Sequence, residues 1–287
     1  MRALLGLTLL FACGDKNEGK AGDDTAGSDN GGGDTAADTA ADSGQDSSQD
    51  TDGDAGLTGG DGYGIVYAAG AGIGIDGRAP VNTTFDGDGA LIGYTWSATE
   101  APTSGDCLRV DLHTSGGVAV GTWSDGTLGG EFYGGSFTFP AEDGFHYGVA
   151  AAPQTAGTLG RDGSYTLDFA TPGTISDASL SPGTVTASAV VAAGETPLIA
   201  LMITVDQGGQ TMTLTTPGYP DPTGAGTTVW EGQFSGPMTV SGGPLCGGGG
   251  CYGYLRGMLA DDGERMVFAW QAAAAERVGG VVLLVHE

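Results

Sequence analysis

The chain has 287 residues, of which 57 are glycine, and acidic residues outnumber basic ones 35 to 9, for a net charge of −26. That charge excludes nucleic-acid binding, which needs a basic face to displace counterions from phosphate, and it excludes electrostatic adhesion to an anionic membrane surface. Glycine at about 20% against a usual share near 7% points toward low complexity, but a hydrophobic share of 39% excludes disorder throughout.

Met1 and Arg2 form a short positive start, and Ala3–Phe11 is an apolar run. A spanning helix needs about 20 apolar residues, so the run reads as the core of a signal peptide over residues 1–12. Leu10-Phe11-Ala12-Cys13-Gly14 resembles a bacterial lipobox. That resemblance implies cleavage before Cys13 and acylation of its thiol, with the membrane as partner through the N-terminal lipid. Gly14, in place of Asp, implies the outer membrane of a Gram-negative envelope. The alternative is ordinary secretory cleavage with Cys13 as a bystander.

Residues 13–60 read as a disordered tether. Leu57 is the one large apolar side chain from 14 to 60, so ordering this segment has no compensating burial. Asp recurs every fourth position from Asp34 to Asp54, and on a helix these like charges would stack and repel. Asp50-Thr51-Asp52-Gly53-Asp54 invites a calcium-loop reading, but Ala55 and Asp61 stand where an EF-hand loop needs Gly and Glu. The segment reads as a plain acidic linker.

From residue 61 to 287 short alternating apolar stretches appear between Gly, Asp, Pro and Ser. Strands are expected at Cys107–Thr114, Ser164–Phe169, Leu198–Val205, Thr211–Thr215, Gly253–Ala260, Arg265–Gln271 and Val281–His286. Asp206–Gln210 and Asp261–Glu264 have the composition of hairpin turns. No long amphipathic helix is evident; Gln271–Arg277 supports one or two helical turns at most. The expected fold is all-β, an antiparallel barrel or sandwich in a single domain. The strands lack the sustained segments and aromatic girdles of a membrane-spanning barrel.

Four stretches resemble the lipocalin-like β-barrel of transferrin-binding-protein-B-type surface lipoproteins, also found C-terminal to FecR-type domains. They are Gly121-Thr122-Trp123-Ser124-Asp125-Gly126; Phe145-His146-Tyr147-Gly148-Val149; Gly163-Ser164-Tyr165-Thr166-Leu167 with Ala170-Thr171-Pro172; and Gly232–Gly236, Gly253–Gly257 and the strand to His286. The resemblance runs over residues 90–287 in order. It departs after His146-Tyr147, where Gly148, Val149 and Ala150 replace two β-branched residues and Gly, and at the insertion holding Cys246 and Cys251. It implies a barrel of about eight strands, displayed on the cell surface, that binds a protein, haem or a small molecule.

Site chemistry in the sequence is sparse. Cys246 and Cys251 bracket four glycines and are the expected disulfide in an oxidising compartment, with Cys107 left as a small buried residue; the rival pairing joins Cys107 to one of them. No metal site is expected, because C-x4-C has the wrong spacing for common zinc motifs. Gly72–Gly77 matches G-x-G-x-x-G, but Arg78-Ala79-Pro80 stands where a dinucleotide site needs a helix. The domain has no lysine, since Lys16 and Lys20 lie in the tether, so no P-loop exists and no cofactor is expected. Arg109, Asp111 and His113 alternate and are expected on one strand face as a cross-strand charge cluster. His146, Tyr147, Trp123 and Trp270 are the candidates to line a barrel cavity. The domain carries 23 acidic residues and six arginines, scattered along the chain. No catalytic residue is nominated. The reading is a lipid-anchored surface binding module, with a structural or adhesive lipoprotein lacking a cavity as the alternative.

Overall fold

In the computed structural model, residues 57–151, 161–171, 174–175, 183–194, 196–207, 209–230, 232–246, 250–260, 263–274 and 277–287 are described. The signal peptide, Cys13, the acidic run to Asp54 and most of the tether lie outside them. Among the described residues the regular structure is β-strand, with 3-10 turns at Pro222–Gly224 and Pro244–Cys246.

Two antiparallel sheets form. The first is built from β1 (Gly60–Ala69), β2 (Gly74–Phe85), β3 (Leu91–Thr95), β4 (Glu100–Thr103), β5 (Leu108–Ser115), β6 (Val118–Thr127), β7 (Gly129–Phe132) and β8 (Thr138–Ala150). Its order is β5-β6-β8-β1-β2-β3-β4-β7, an open half-barrel. The second contains β9 (Gly163–Ala170), β10 (Thr174–Ile175), β11 (Thr184–Ala192), β12 (Leu198–Gln207), β13 (Gln210–Thr215), β14 (Thr227–Trp230), β15 (Gln233–Gly242), β16 (Tyr252–Leu259), β17 (Arg265–Ala273) and β18 (Arg277–His286). Here β9 pairs both β11 and β18, which closes eight strands into a barrel and removes the free edges. The barrel therefore uses residues from 163 onward. The half-barrel from the first half of the domain is an addition that alternation alone could not separate from it.

The seven expected strands coincide with β5, β9, β12, β13, β16, β17 and β18 to within a few residues. Among the described residues of Gln271–Arg277 no helical turn forms. Gln271, Ala272 and Ala273 continue β17, and pair with Gly279, Val278 and Arg277 of β18. Cross-strand pairing in the barrel overrides the alanine propensity.

Two strands share one lane of the barrel. β13 pairs β12 and β15 toward one end, while β14 pairs Leu198–Ile199 of β12 and Gln233–Phe234 of β15 at the other. Among the described residues the interior is packed with side chains. Tyr165, Ile203, Leu214, Leu255, Phe268 and Trp270 belong to one continuous cluster of buried side chains. The half-barrel has its own core, in which Trp123 stacks on Phe145 at 5.0 Å and Phe145 on Tyr67 at 4.9 Å.

A third cluster joins the two sheets. Val66, Ala68, Val118, Val120 and Ala150 of the half-barrel meet Met258, Val267, Ala269, Val281 and Leu283 on the barrel's outer wall. Gly148 sits in this seam, where an added Cβ would lie 2.2 Å from Val267 Cγ2 and 2.9 Å from Val281 Cγ1. Gly148→Ala is expected to wedge the sheets apart and cost about 1–3 kcal/mol. The check is a lowered denaturation midpoint at unchanged m-value.

Candidate functional site

The four residues nominated for a cavity do not converge. Trp123 and Tyr147 lie in the half-barrel core with rings 5.5 Å apart. Both hold Leu91: Trp123 Nε1 donates to its carbonyl at 2.7 Å, and its N–H donates to Tyr147 Oη at 3.2 Å. They thus tie the start of β3 across the sheet. His146 follows the opposite parity on β8, on the side of Gly148 and the seam. Its Nδ1 lies 3.0 Å from Thr122 Oγ1, and burial lowers its pKa to about 3, so the ring is neutral. Trp270 fills the barrel, and its Nε1 has no hydrogen-bond partner among the described residues.

The expected face of Arg109, Asp111 and His113 is also broken. A bulge falls between Val110 and His113, and Asp111 takes a positive φ of 52°. Arg109 pairs with Asp86. Burial raises the Asp111 pKa. His113 Nε2 lies 3.1 Å from Asp168 Oδ2, and its ring stacks on Phe169 at 4.8 Å, which ties β5 to β9. Cys246 and Cys251 are bonded to each other. Cys107 is free and buried, and burial pushes its thiol up to about 11, which leaves it unreactive near neutrality. Gly74 onward of the G-x-G-x-x-G match lies in β2, so no helix receives a phosphate there.

Polar chemistry gathers instead around β2, and sequence reasoning did not nominate it. Glu100 on β4 is 1% exposed. Tyr94 Oη donates to its Oε1 at 3.0 Å and Arg78 Nε to its Oε2 at 3.1 Å. Arg78 Nη2 donates to Tyr133 Oη, which lies 3.2 Å from Tyr67 Oη. Arg78 Nη1 lies 2.6 Å from Asp76 Oδ2, and Asp76 Oδ1 lies 3.7 Å from Arg256 Nε on β16. A ladder of alternating charge, Glu100–Arg78–Asp76–Arg256, therefore runs from the half-barrel to the barrel wall. Aromatic rings cover the guanidinium groups: Trp96 at 4.6 Å from Arg78 and Tyr254 at 5.8 Å from Arg256.

Burial works against the charge on Arg78, but its bond to Asp76 and the nearby acids outweigh that cost and raise its pKa. Burial also raises the hydroxyls of Tyr94 and Tyr67, so both remain neutral donors. The signal available in the sequence was scarcity. With only six arginines in a domain of net charge −17, each cation that the fold buries must find acids.

The sequence matches no family model and no curated protein.

Two outcomes follow. Arg78→Ala leaves Glu100 as a buried carboxylate without its cation and is expected to cost about 3 kcal/mol or more in denaturant unfolding. His146 gives a pH signature. Its folded pKa is depressed, so its contribution is complete above the unfolded value near 6.5 and is lost as the pH falls toward 3. His146→Gln is expected to remove a slope of up to about 1.4 kcal/mol per pH unit between pH 6.5 and 5, read from unfolding curves.

Proposed function

We propose that the protein is a lipid-anchored, outer-membrane surface module that binds its ligand through the outer face of its β-domain and performs no chemistry on it. The filled barrel carries this reading. Phe268, Trp270 and their neighbours occupy the space that a lipocalin-like cavity would use. The departure from the transferrin-binding-like pattern after Tyr147 has a matching physical role, because Gly148 is where the seam admits no side chain.

Aromatic side chains are instead presented outward. Trp96, Tyr133, Tyr252 and Trp230 are all at least half exposed, and Trp230 is 71% exposed. Covering an exposed aromatic ring removes apolar surface from water, which is favourable, and aromatics are enriched at recognition surfaces. The anchor reading rests on the resemblance of Leu10–Gly14 to a lipobox, with Cys13 as the acylated residue.

Two measurements on intact cells test this. Metabolic labelling with an alkyne fatty acid is expected to mark the wild-type chain and to leave Cys13→Ser unmarked; label on the variant would overturn the anchor. A photo-reactive phenylalanine analogue at Tyr252, Tyr133 or Trp96 is expected to form a covalent adduct at one or more of these positions. Silence at all three would leave the adhesive or structural role in its place.

A further inference from the structure

A groove of about 220 Å³ lies where β2 of the half-barrel meets β14, β15 and β16 of the barrel. Its lining includes Trp230, Thr228, Gln233, Ser235, Arg256 and Gly77. These side chains face outward because their neighbours Val229, Phe234 and Leu255 face the barrel core. Strand pairing sets them side by side: Trp230 opposite Gln233, and Ser235 opposite Arg256. Gly77 forms part of the groove wall, between Val66 and Arg256.

We propose that this groove is a binding site for one ring of a neutral glycan, stacked on Trp230 and hydrogen-bonded by Arg256, Gln233, Thr228 and Ser235. The inference rests on the surface-binding reading above and gives it a site and a ligand class. The groove is smaller than the roughly 300–1,000 Å³ of drug-sized sites, so it takes a single ring of a longer chain. A sugar ring has an apolar face for the indole and a hydroxyl rim for polar groups. The lining matches, with one large exposed ring beside two hydroxyls, an amide and a guanidinium.

Arg256 supplies the sharpest observation. Its Nε is inaccessible to solvent and has no hydrogen-bond acceptor among the described residues, and Asp76 Oδ1 stands off at 3.7 Å. That atom is closed to a ligand, but the Arg256 side chain as a whole is 40% exposed, and its outer N–H groups are the ones a ligand oxygen can reach. A hydroxyl suits the position because it both accepts and donates. An acidic sugar does not, since Asp76 already partners Arg256 and the domain carries a net charge of −17. A peptide bound by strand addition needs a free strand edge for its main chain, whereas β14 is paired to β12 and β15, and β15 to β16.

The test uses the full chain purified in detergent and titrated, by isothermal calorimetry, with hexamers of glucose, mannose, galactose and N-acetylglucosamine, and with a galacturonate hexamer as the acidic arm. At least one neutral hexamer is expected to bind saturably. Trp230→Ala is expected to weaken it at least tenfold, Trp230→Phe to restore most of the affinity, and Arg256→Leu to weaken it at least fivefold. Leu108→Ala, at an exposed position outside the groove, is expected to leave it unchanged. Unaltered melting temperatures show that each variant is folded. Binding of no neutral hexamer, binding of galacturonate alone, or binding that survives Trp230→Ala would overturn the glycan site. A photo-adduct on cells without any hexamer binding would overturn this inference and leave the surface-binding reading standing.

Discussion

Burial of the barrel's outer wall is the constraint on which the rest of the molecule depends. Strands in a small barrel ordinarily alternate between an apolar inside and a wet outside. Here β17 and β18 are covered on both faces: Phe268, Val282 and Leu284 point into the barrel, and Val267, Val281 and Leu283 point into the seam. Two-sided burial needs close approach, and small residues provide it. Ala68, Ala150 and Ala269 lie in the seam, and Gly148 stands where any side chain would strike Val267. The half-barrel in turn needs that wall, because an open sheet with an apolar back face has no other place to bury it.

The charge ladder marks where the apolar seam gives way to polar structure. Glu100 is as buried as any core residue, and its charge is tolerable because Tyr94 and Arg78 meet both oxygens. Burying such a group adds little net stability, but it penalises any register that separates the partners. Asp76 extends the same logic to Arg256, so one carboxylate links a strand of each sheet. The ladder and the groove are therefore two ends of one feature, with its inner end satisfied and its outer end, at Arg256 Nε, lacking an acceptor.

Strand positions were legible because alternation and turn residues are local signals. Leu198–Val205 and Thr211–Thr215 lie within the bounds of β12 and β13, and Asp206–Gln210 spans the hairpin between them. The division into two sheets was not legible, since β8 and β9 differ in partner and not in pattern. One clue was present: β18 reads as a continuous apolar run, Val-Val-Leu-Leu-Val, which is the mark of a strand buried on both faces. The charge cluster expected on β5 failed for a similar reason. A bulge shifts parity by one residue, and only pairing with β6 reveals it. The cavity candidates were drawn from aromatic residues, and aromatic identity does not say whether a ring lines a space or fills it.

The sequence by itself determined the all-β class, seven of the strand positions and the chemical character of each segment, because period, turn propensity and composition are properties of neighbours along the chain. The glycine excess was also visible there, but its purpose was not. At Gly148 the requirement is set by Val267 and Val281, both distant in sequence. Only the tertiary structure decided that the barrel is filled, that two sheets share a wall, and that Arg78, Asp76, Glu100 and Arg256 form one ladder. Those facts depend on which strands pair and which faces meet. That choice is made by the burial energy of the whole chain and not by any stretch of it.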